Sequence, residues 1–143
     1  PDVALGADLL TGFPGESEEA FGATLDFCTR AGLSYAHVFP YSRRPGTLAA
    51  KAPGQLPTEV KKRRAARLRA LTGELEARYV AALAAKGELT VAVESENPGA
   101  GACEYYAECR LTSPSPVPAG RLLQVRPVGT DGLRVLAEPL AGP

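Results

Sequence analysis

The sequence predicts a mixed fold, with an α/β part first and a small all-β part at the carboxyl end. Three patterns lead to this prediction. Residues 3–52 read as strand, helix and strand, residues 58–86 keep a helical period, and short strand-like runs separated by turns follow Gly87. We therefore divide the 143-residue chain into residues 1–52, residues 53–86 and residues 87–143.

The first part has the pattern of a strand–helix–strand unit. Residues 4–11 are mostly apolar, as in a buried parallel strand, and a turn rich in glycine and proline ends them. Ser17 is a typical N-cap residue, and Gly32 stands where a helix would end in a left-handed conformation. Residues 34–41 alternate in side-chain type with a period of two, which is typical of a strand. Short connections between parallel strands predict a right-handed βαβ unit.

A long helix is predicted in the middle of the chain. Residues 42–57 are rich in glycine and proline and are expected to be a loop. From residue 58 to residue 86, leucines and a tyrosine recur every three or four positions, and alanine is frequent. Gly73 falls inside this pattern at some cost in helix stability.

The last part is predicted to be a small β-barrel or β-sandwich. Short runs with strand-like composition cover residues 88–94, 104–110, 121–128 and 133–138. Turn-forming residues separate them, at 97–99, 113–118 and 130–132. Several short strands at this spacing indicate a closed or two-layered β fold.

The composition narrows the possible classes of protein. Acidic and basic residues balance at 16 each, so the net charge indicates no partner. No apolar run approaches the length of about 20 residues that a membrane span needs, and we expect no membrane contact. The sequence contains no Met and begins with Pro, so we expect it to be a segment of a longer protein.

The cysteines predict neither disulfides nor a metal site. Cys28, Cys103 and Cys109 are odd in number and widely spaced, and no CxxC motif is present. Reduced thiols in a cytoplasmic protein are the simplest interpretation.

Two segments lie where ligands bind in α/β proteins, directly after the carboxyl ends of predicted strands. They are residues 12–16 and residues 41–47. The alternative for the first segment is an ordinary turn before a helix capped by Ser17, with Glu16 favouring the positive end of that helix. His37 is the only histidine, and a core position is more common for such a residue than a catalytic role.

Two further features could contact nucleic acid. A cluster of cations on the long helix would form either a phosphate-binding patch or a solvated helix face; its members are Lys61, Lys62, Arg63, Arg64, Arg67 and Arg69. Tyr105 and Tyr106 could offer one ring to an unpaired base and the other to the core, although ordinary core or surface positions are equally consistent with the pattern.

Three segments together resemble a known family. Residues 6–21 (GADLLTGFPGESEEAF), 37–50 (HVFPYSRRPGTLAA) and 55–71 (QLPTEVKKRRAARLRAL) are similar to the last third of the radical S-adenosylmethionine methylthiotransferases. The residues after Gly87 look like the TRAM domain that ends these enzymes. The resemblance implies the end of a radical-SAM (β/α) barrel, a connecting helix and a TRAM, OB-like β-barrel.

The resemblance also implies a reaction and cofactors for the full-length enzyme. Such enzymes insert a methylthio group with S-adenosylmethionine and two 4Fe-4S clusters. This chain lacks both sets of cluster cysteines. We therefore expect the segment alone to bind neither S-adenosylmethionine nor the clusters and to be inactive. The residues implied near S-adenosylmethionine are Gly12, Pro14, Gly15, Glu16, Val38 and Phe39.

The substrate implied by the resemblance is the anticodon stem-loop of tRNA. Arg44 stands where related enzymes that modify a ribosomal protein tend to carry an acidic residue, so it favours tRNA. The other residues expected to contact RNA are Lys61, Lys62, Arg63, Arg64, Arg67 and Tyr105. Residues 37–40 look most like the subgroup that acts on N6-threonylcarbamoyladenosine, and the subgroup acting on isopentenyladenosine is the near alternative.

Other functions remain open at this point. The chain could be an RNA-binding module without catalysis, part of a ribosomal-protein methylthiotransferase, or part of a barrel enzyme unrelated to RNA. Because two strands cannot close an α/β barrel, copies of the chain could also associate through the N-terminal strands.

Overall fold

The computed structural model describes residues 3–96, 99–112 and 117–140, and the chain forms two compact units. The first unit is Leu5–Leu75, and the second contains the described residues before Leu5 and those from Glu76 onward. In chain order, the elements are β1 (Gly6–Thr11), α1 (Glu18–Ala31), β2 (Tyr35–Pro40), α2 (Leu48–Lys51), α3 (Thr58–Ala84), β3 (Leu89–Glu96), β4 (Gly99–Cys103), β5 (Glu108–Leu111), β6 (Leu122–Asp131) and β7 (Arg134–Pro139). A mixed α/β part followed by an all-β part is therefore confirmed.

The first unit contains the predicted strand–helix–strand arrangement. Strands β1 and β2 are parallel and pair from Gly6 with Tyr35 to Thr11 with Pro40. Helix α1 begins where Ser17 Oγ accepts a hydrogen bond from the Ala20 N–H, and it ends at Gly32 with φ 65°. Both predicted caps are confirmed. The core beneath the strands consists of Phe21, Cys28, Leu33, Val38, Ala65, Leu68 and Leu75.

The two strands leave one face of their sheet open in this unit. Side chains alternate along each strand, so Leu9 and Val38 pack toward the core and their neighbours point away from it. The open face carries Asp8, Leu10, Tyr35, His37 and Phe39. The expectation of a core position for His37 is wrong, because its side chain is 68% exposed and its Nδ1 lies 3.7 Å from Asp8 Oδ1.

The segment predicted as loop, residues 42–57, contains the short helix α2. Thr47 caps it by accepting a hydrogen bond from the Ala50 N–H at 3.1 Å. Helix α3 follows and is continuous through Gly73. Its first turns contribute Ala65 and Leu68 to the core of the first unit, and its last turns contribute Val80 and Leu83 to the core of the second. Among the described residues, no helix is long and apolar enough to cross a membrane.

The second unit is a closed five-stranded barrel, which decides between the predicted barrel and sandwich. The strand order is β3-β4-β5-β7-β6, with β5 and β7 parallel and the other pairs antiparallel. Buried side chains from every strand fill the interior, including Val91, Cys109, Val125 and Val135.

The barrel differs from the predicted strands in one region. The strand expected over residues 104–110 begins only at Glu108, because residues 104–106 form a turn. Strand β4 was not predicted, since its sequence GAGAC lacks the β-branched and aromatic residues that indicate strands. The predicted turns at 97–98 and 113–116 lie outside the described residues.

Candidate functional site

The turn after β1 folds around the carboxylate of Glu16. Its Oε2 accepts hydrogen bonds from the Gly12 N–H at 2.8 Å and from the Thr11 hydroxyl at 3.4 Å. The Glu16 N–H donates to the Phe13 carbonyl at 3.0 Å, which closes the turn. Glu16 thus shapes the turn from within, and its carboxylate is mostly buried, with 12% of the side chain exposed.

Arg64 of α3 holds this turn against the helix. One guanidinium nitrogen donates to Glu16 Oε2 at 2.6 Å and to the Glu16 carbonyl at 2.8 Å, and the other donates to Glu18 Oε1 at 2.6 Å. The Arg64 side chain is only 4% exposed. The hydrogen bond from Arg64, followed by the nearby positive charges, lowers the pKa of Glu18.

The contacts of Arg64 assign it a structural role in place of the predicted contact with RNA. We expected it to contact RNA phosphate, but its guanidinium is buried and paired with two carboxylates, so it is not available to a polyanion. The sequence gives little sign of this pairing, because Arg64 and Glu16 are 48 residues apart in the chain.

Gly12 is covered by a lysine of α3. It has φ +77°, and a Cβ at this position would lie 2.4 Å from Lys61 Cγ. The Lys61 ammonium lies 5.5 Å from the centre of the Tyr41 ring, and Phe13 meets the same ring edge-on at 5.3 Å. The Tyr41 hydroxyl is buried and has no hydrogen-bond partner among the described residues. Lys61 therefore packs over the turn, although it was predicted to contact RNA.

The tip of the turn is held from a second side by the segment before α3. The Gly15 N–H donates to the Gly54 carbonyl at 2.9 Å, and a Cβ on Gly54 would lie 3.0 Å from the Gly15 nitrogen. Gly15 itself is exposed, and nothing lies within 4 Å of where its Cβ would be. Pro14 is half-buried. Among the residues predicted near S-adenosylmethionine in this turn, Gly15 is therefore the most accessible, while Gly12 is buried.

The end of β2 lies beside this turn, because the Tyr41 N–H donates to the Thr11 carbonyl at 2.8 Å. Val38 points into the core, and its carbonyl accepts a hydrogen bond from the Arg69 guanidinium at 3.0 Å. Phe39 lies on the open face and is 49% exposed. Of Val38 and Phe39, both predicted to lie near S-adenosylmethionine, only Phe39 exposes its side chain.

Arg44 is exposed in the loop that follows β2. Its carbonyl accepts hydrogen bonds from the Thr47 hydroxyl at 2.9 Å and from the Thr47 N–H at 3.3 Å. The neighbouring Arg43 donates to the Ala50 carbonyl at 2.9 Å and fastens the loop to α2. The structure thus leaves Arg44 accessible and gives Arg43 an internal role.

The other predicted cations of α3 lie at its surface. Lys62, Arg63 and Arg67 are exposed, and Lys62 makes a surface ion pair with Glu59 at 3.4 Å. Arg67 lies 5.8 Å from the centre of the Phe21 ring. Arg69 is exposed as well, but its guanidinium donates to the Val38 carbonyl, so three cations of the predicted patch lie on the helix surface without a backbone contact among the described residues of this unit.

Comparison with known proteins matches part of the chain to tRNA-modifying enzymes. Over 71 residues, 50% of the chain, it is 52% identical to the tRNA-2-methylthio-N(6)-dimethylallyladenosine synthase of Magnetococcus marinus. It is 50% identical over 74 residues to the protein of the same name from Zymomonas mobilis, and 54% identical over 68 residues to that of Mycobacterium sp. strain MCS. The aligned half of the chain is homologous to these methylthiotransferases. The alignments cover only 16%, 17% and 13% of the three relatives, and no family model matches the chain.

The cysteines of this chain do not fit the clusters that the methylthiotransferase family implies. Cys28 is buried in the core of the first unit, and Cys103 and Cys109 are buried in the barrel. A hydrogen bond with Cys103, together with burial, raises the pKa of Cys109 and favours a neutral thiol there. Within the described ranges, no group of three or more His, Cys, Asp or Glu residues could hold a metal ion.

The barrel exposes the ring of Tyr106, whereas the ring of Tyr105, which was predicted to contact RNA, packs against the core. Tyr105 is half-buried against the barrel core, with the Lys86 ammonium 4.6 Å from its ring centre. Its carbonyl accepts a hydrogen bond from the Tyr79 hydroxyl at 2.9 Å. Tyr106 is 83% exposed. A stacking role predicted for Tyr105 therefore suits Tyr106 better, because its ring is free to meet a base.

Proposed function

We propose that this chain is a segment of a tRNA methylthiotransferase, which adds a methylthio group to an N6-modified adenosine beside the anticodon. The observation that carries the proposal is the identity of 50–54% to the three synthases over about half of the chain. The names of those proteins state both the methylthio group and the tRNA substrate. The radical chemistry and the clusters belong to parts of such an enzyme that this chain does not supply.

Two substituents on N6 are candidates. Residues 37–40 resemble the subgroup that acts on threonylcarbamoyladenosine. The relatives, by contrast, are named for the dimethylallyl group, which is wholly apolar. Threonylcarbamoyladenosine is our first candidate, and dimethylallyladenosine is the second.

The gene that encodes this chain can be tested in a bacterium without tRNA methylthiotransferases of its own. Mass spectrometry of digested tRNA should then detect the 2-methylthio form of threonylcarbamoyladenosine. Detection only of the 2-methylthio form of dimethylallyladenosine would select the second candidate and reject the first. If neither nucleoside gains the mark, the proposed function fails.

The edge formed by the Gly12–Glu16 turn and the end of β2 is the proposed contribution to the S-adenosylmethionine site. The fit of this edge rests on accessible groups, which are Gly15, Pro14 and Phe39. The proposed role of the remaining residues is indirect, because the contacts of Gly12, Glu16 and Val38 hold the turn and the strand in place. When bound, S-adenosylmethionine supplies the radical and the methyl group of the family's reaction.

Phe39 provides a test of this edge. Phe39→Ala should weaken binding of S-adenosylmethionine to the full-length protein about five- to tenfold, because an aromatic contact is lost. Phe27→Ala is the matched control, since Phe27 is 57% exposed on α1. Equal affinities in the two variants, measured by calorimetry, would remove Phe39 from the site.

The proposed tRNA contact of the first unit consists of Arg44, Lys62, Arg63 and Arg67. All four side chains are exposed, and cations that neutralise phosphates release counterions. We exclude Arg64 and Lys61 from this surface because their contacts lie within the unit.

Charge reversal tests the helix part of this surface. Arg63→Glu/Arg67→Glu should weaken binding of an anticodon stem-loop. The negative slope of log K against log salt should become less steep by about 2, because two phosphate contacts are lost. Arg30→Glu/Lys51→Glu makes the same change in net charge at exposed positions outside the surface. Equal weakening by both double variants would show that only net charge matters.

A further inference from the structure

A shallow cleft on the outside of the barrel has an exposed aromatic ring at its rim. Its volume is about 470 Å³, and Ala100 and Ala102 of β4 line it together with Glu94, Glu108 and Tyr106. Ser95 and Gly101 complete the lining, so β4 contributes only two methyl groups and a glycine to the cleft. The side chains that β4 contributes are therefore small, which leaves room for a planar group to stack against the Tyr106 ring.

The backbone of Tyr106 is in a conformation that aromatic residues rarely adopt. Its φ is 58°, and it is the only residue other than glycine with a positive φ among residues 3–96, 99–112 and 117–140. Its N–H donates to the Cys103 carbonyl at 2.9 Å in the turn between β4 and β5. Glycine or asparagine would suit this position better. A strained and 83% exposed tyrosine contributes little to the core, which indicates a role in binding.

The turn that presents Tyr106 is firmly held on its other side. The Tyr79 hydroxyl donates to the Tyr105 carbonyl, and the Cys103 N–H donates to the Ala107 carbonyl at 3.0 Å. Tyr105 also packs against the barrel core. Because its neighbours are fixed, the Tyr106 ring is displayed on a rigid base instead of a loose loop.

The charged groups around the cleft suit a nucleotide. Glu94 and Glu108 line the same cleft as Tyr106, and carboxylate oxygens accept hydrogen bonds from exocyclic amines. An adjoining hollow of about 220 Å³ is lined by Arg110 and Arg134. Each guanidinium uses one nitrogen in a surface ion pair, to Asp131 at 3.3 Å and to Glu108 at 2.9 Å, and has further N–H donors for a phosphate.

We propose that this cleft binds one unpaired nucleobase that carries an exocyclic amine, with the base stacked on Tyr106. Adenine, cytosine and guanine fit this description, whereas uracil has no amine for the carboxylates. The stacking contact supplies affinity, and Glu94 and Glu108 supply the preference among bases. The inference rests on the proposed function only for the identity of the RNA as tRNA.

A tryptophan at the rim can report stacking directly, because the chain contains no tryptophan. In Tyr106→Trp, short oligo-A and oligo-C should quench the fluorescence and bind at least about fivefold more tightly than oligo-U. Leu122→Trp is the control, since Leu122 is 72% exposed on β6 and does not line the cleft. Equal quenching in both variants, or none in Tyr106→Trp, would overturn the proposal. Equal affinity for the three oligomers would overturn the base preference.

Tyr106→Gly separates binding from folding. Because glycine adopts a positive φ without strain, this variant should unfold at the same or a higher urea concentration than the parent. It should nevertheless bind oligo-A about tenfold more weakly, since the ring is lost. Unchanged affinity would reject the site. Because these oligomers need no methylthiotransferase activity, quenching in Tyr106→Trp without any methylthio mark on tRNA would reject only the proposed function.

Discussion

At the scale of single residues, Arg64 organises the turn after β1. It is buried, and its guanidinium joins α3 to the carboxylates of Glu16 and Glu18. Arg64→Ala would leave the mostly buried Glu16 carboxylate without its cation. We expect this variant to lose about 3 kcal/mol in free energy of unfolding, measured in urea. Lys62→Ala removes an exposed cation of the same helix and should cost less than about 0.5 kcal/mol. Similar losses in the two variants would contradict the assignment.

The Arg64–Glu18 contact also predicts a pH dependence. The hydrogen bond from Arg64 lowers the pKa of Glu18 below its usual value of 4.5 in the folded protein. The folded state therefore gains stability above the unfolded pKa and loses it as the pH falls through the folded value. Glu18→Gln should have a melting temperature that changes less than that of the parent between about pH 3 and pH 5. Identical pH profiles would show that this ion pair contributes nothing.

At the scale of elements, closure of the barrel depends on Gly101 in β4. A Cβ on Gly101 would lie 1.9 Å from the Ala92 carbonyl oxygen of β3, so only glycine permits this pairing. Gly101→Ala should lower the free energy of unfolding by about 3 kcal/mol. Gly87→Ala is the control, because nothing lies within 4 Å of the corresponding Cβ. Near-native stability of Gly101→Ala in urea denaturation would mean that β3 and β4 are not closely paired.

The elements also show which features a sequence can predict. The caps Ser17 and Gly32 depend on neighbouring residues, so the boundaries of α1 could be predicted. Strand β4 could not be predicted, because its small residues follow from close packing against β3 and not from strand propensity. Likewise, Arg64 is buried against carboxylates 46 and 48 residues away in the sequence. The sequence pattern therefore could not distinguish Arg64 from the exposed cations beside it. The exposure of Tyr106 instead of Tyr105 depends on a turn where a strand was expected.

At the scale of the whole molecule, our proposals assign the two units complementary parts of tRNA recognition. The first unit offers exposed cations beside an edge proposed to meet S-adenosylmethionine, and the barrel offers the Tyr106 cleft. The aligned residues make up about one sixth of the relatives from Magnetococcus and Zymomonas, so catalysis is a proposal about a longer protein. The proposal that this protein acts on tRNA rests on the homology more than on any single residue.

The central claim is that the gene encoding this chain is responsible for a methylthio group on tRNA. Its most direct test is mass spectrometry of tRNA nucleosides from the source organism, with the gene intact, deleted and restored. We predict that deletion abolishes the 2-methylthio form of threonylcarbamoyladenosine, that the unmethylthiolated nucleoside accumulates, and that restoring the gene reverses both changes. If every methylthio nucleoside persists at its normal level after deletion, the protein is not a tRNA methylthiotransferase.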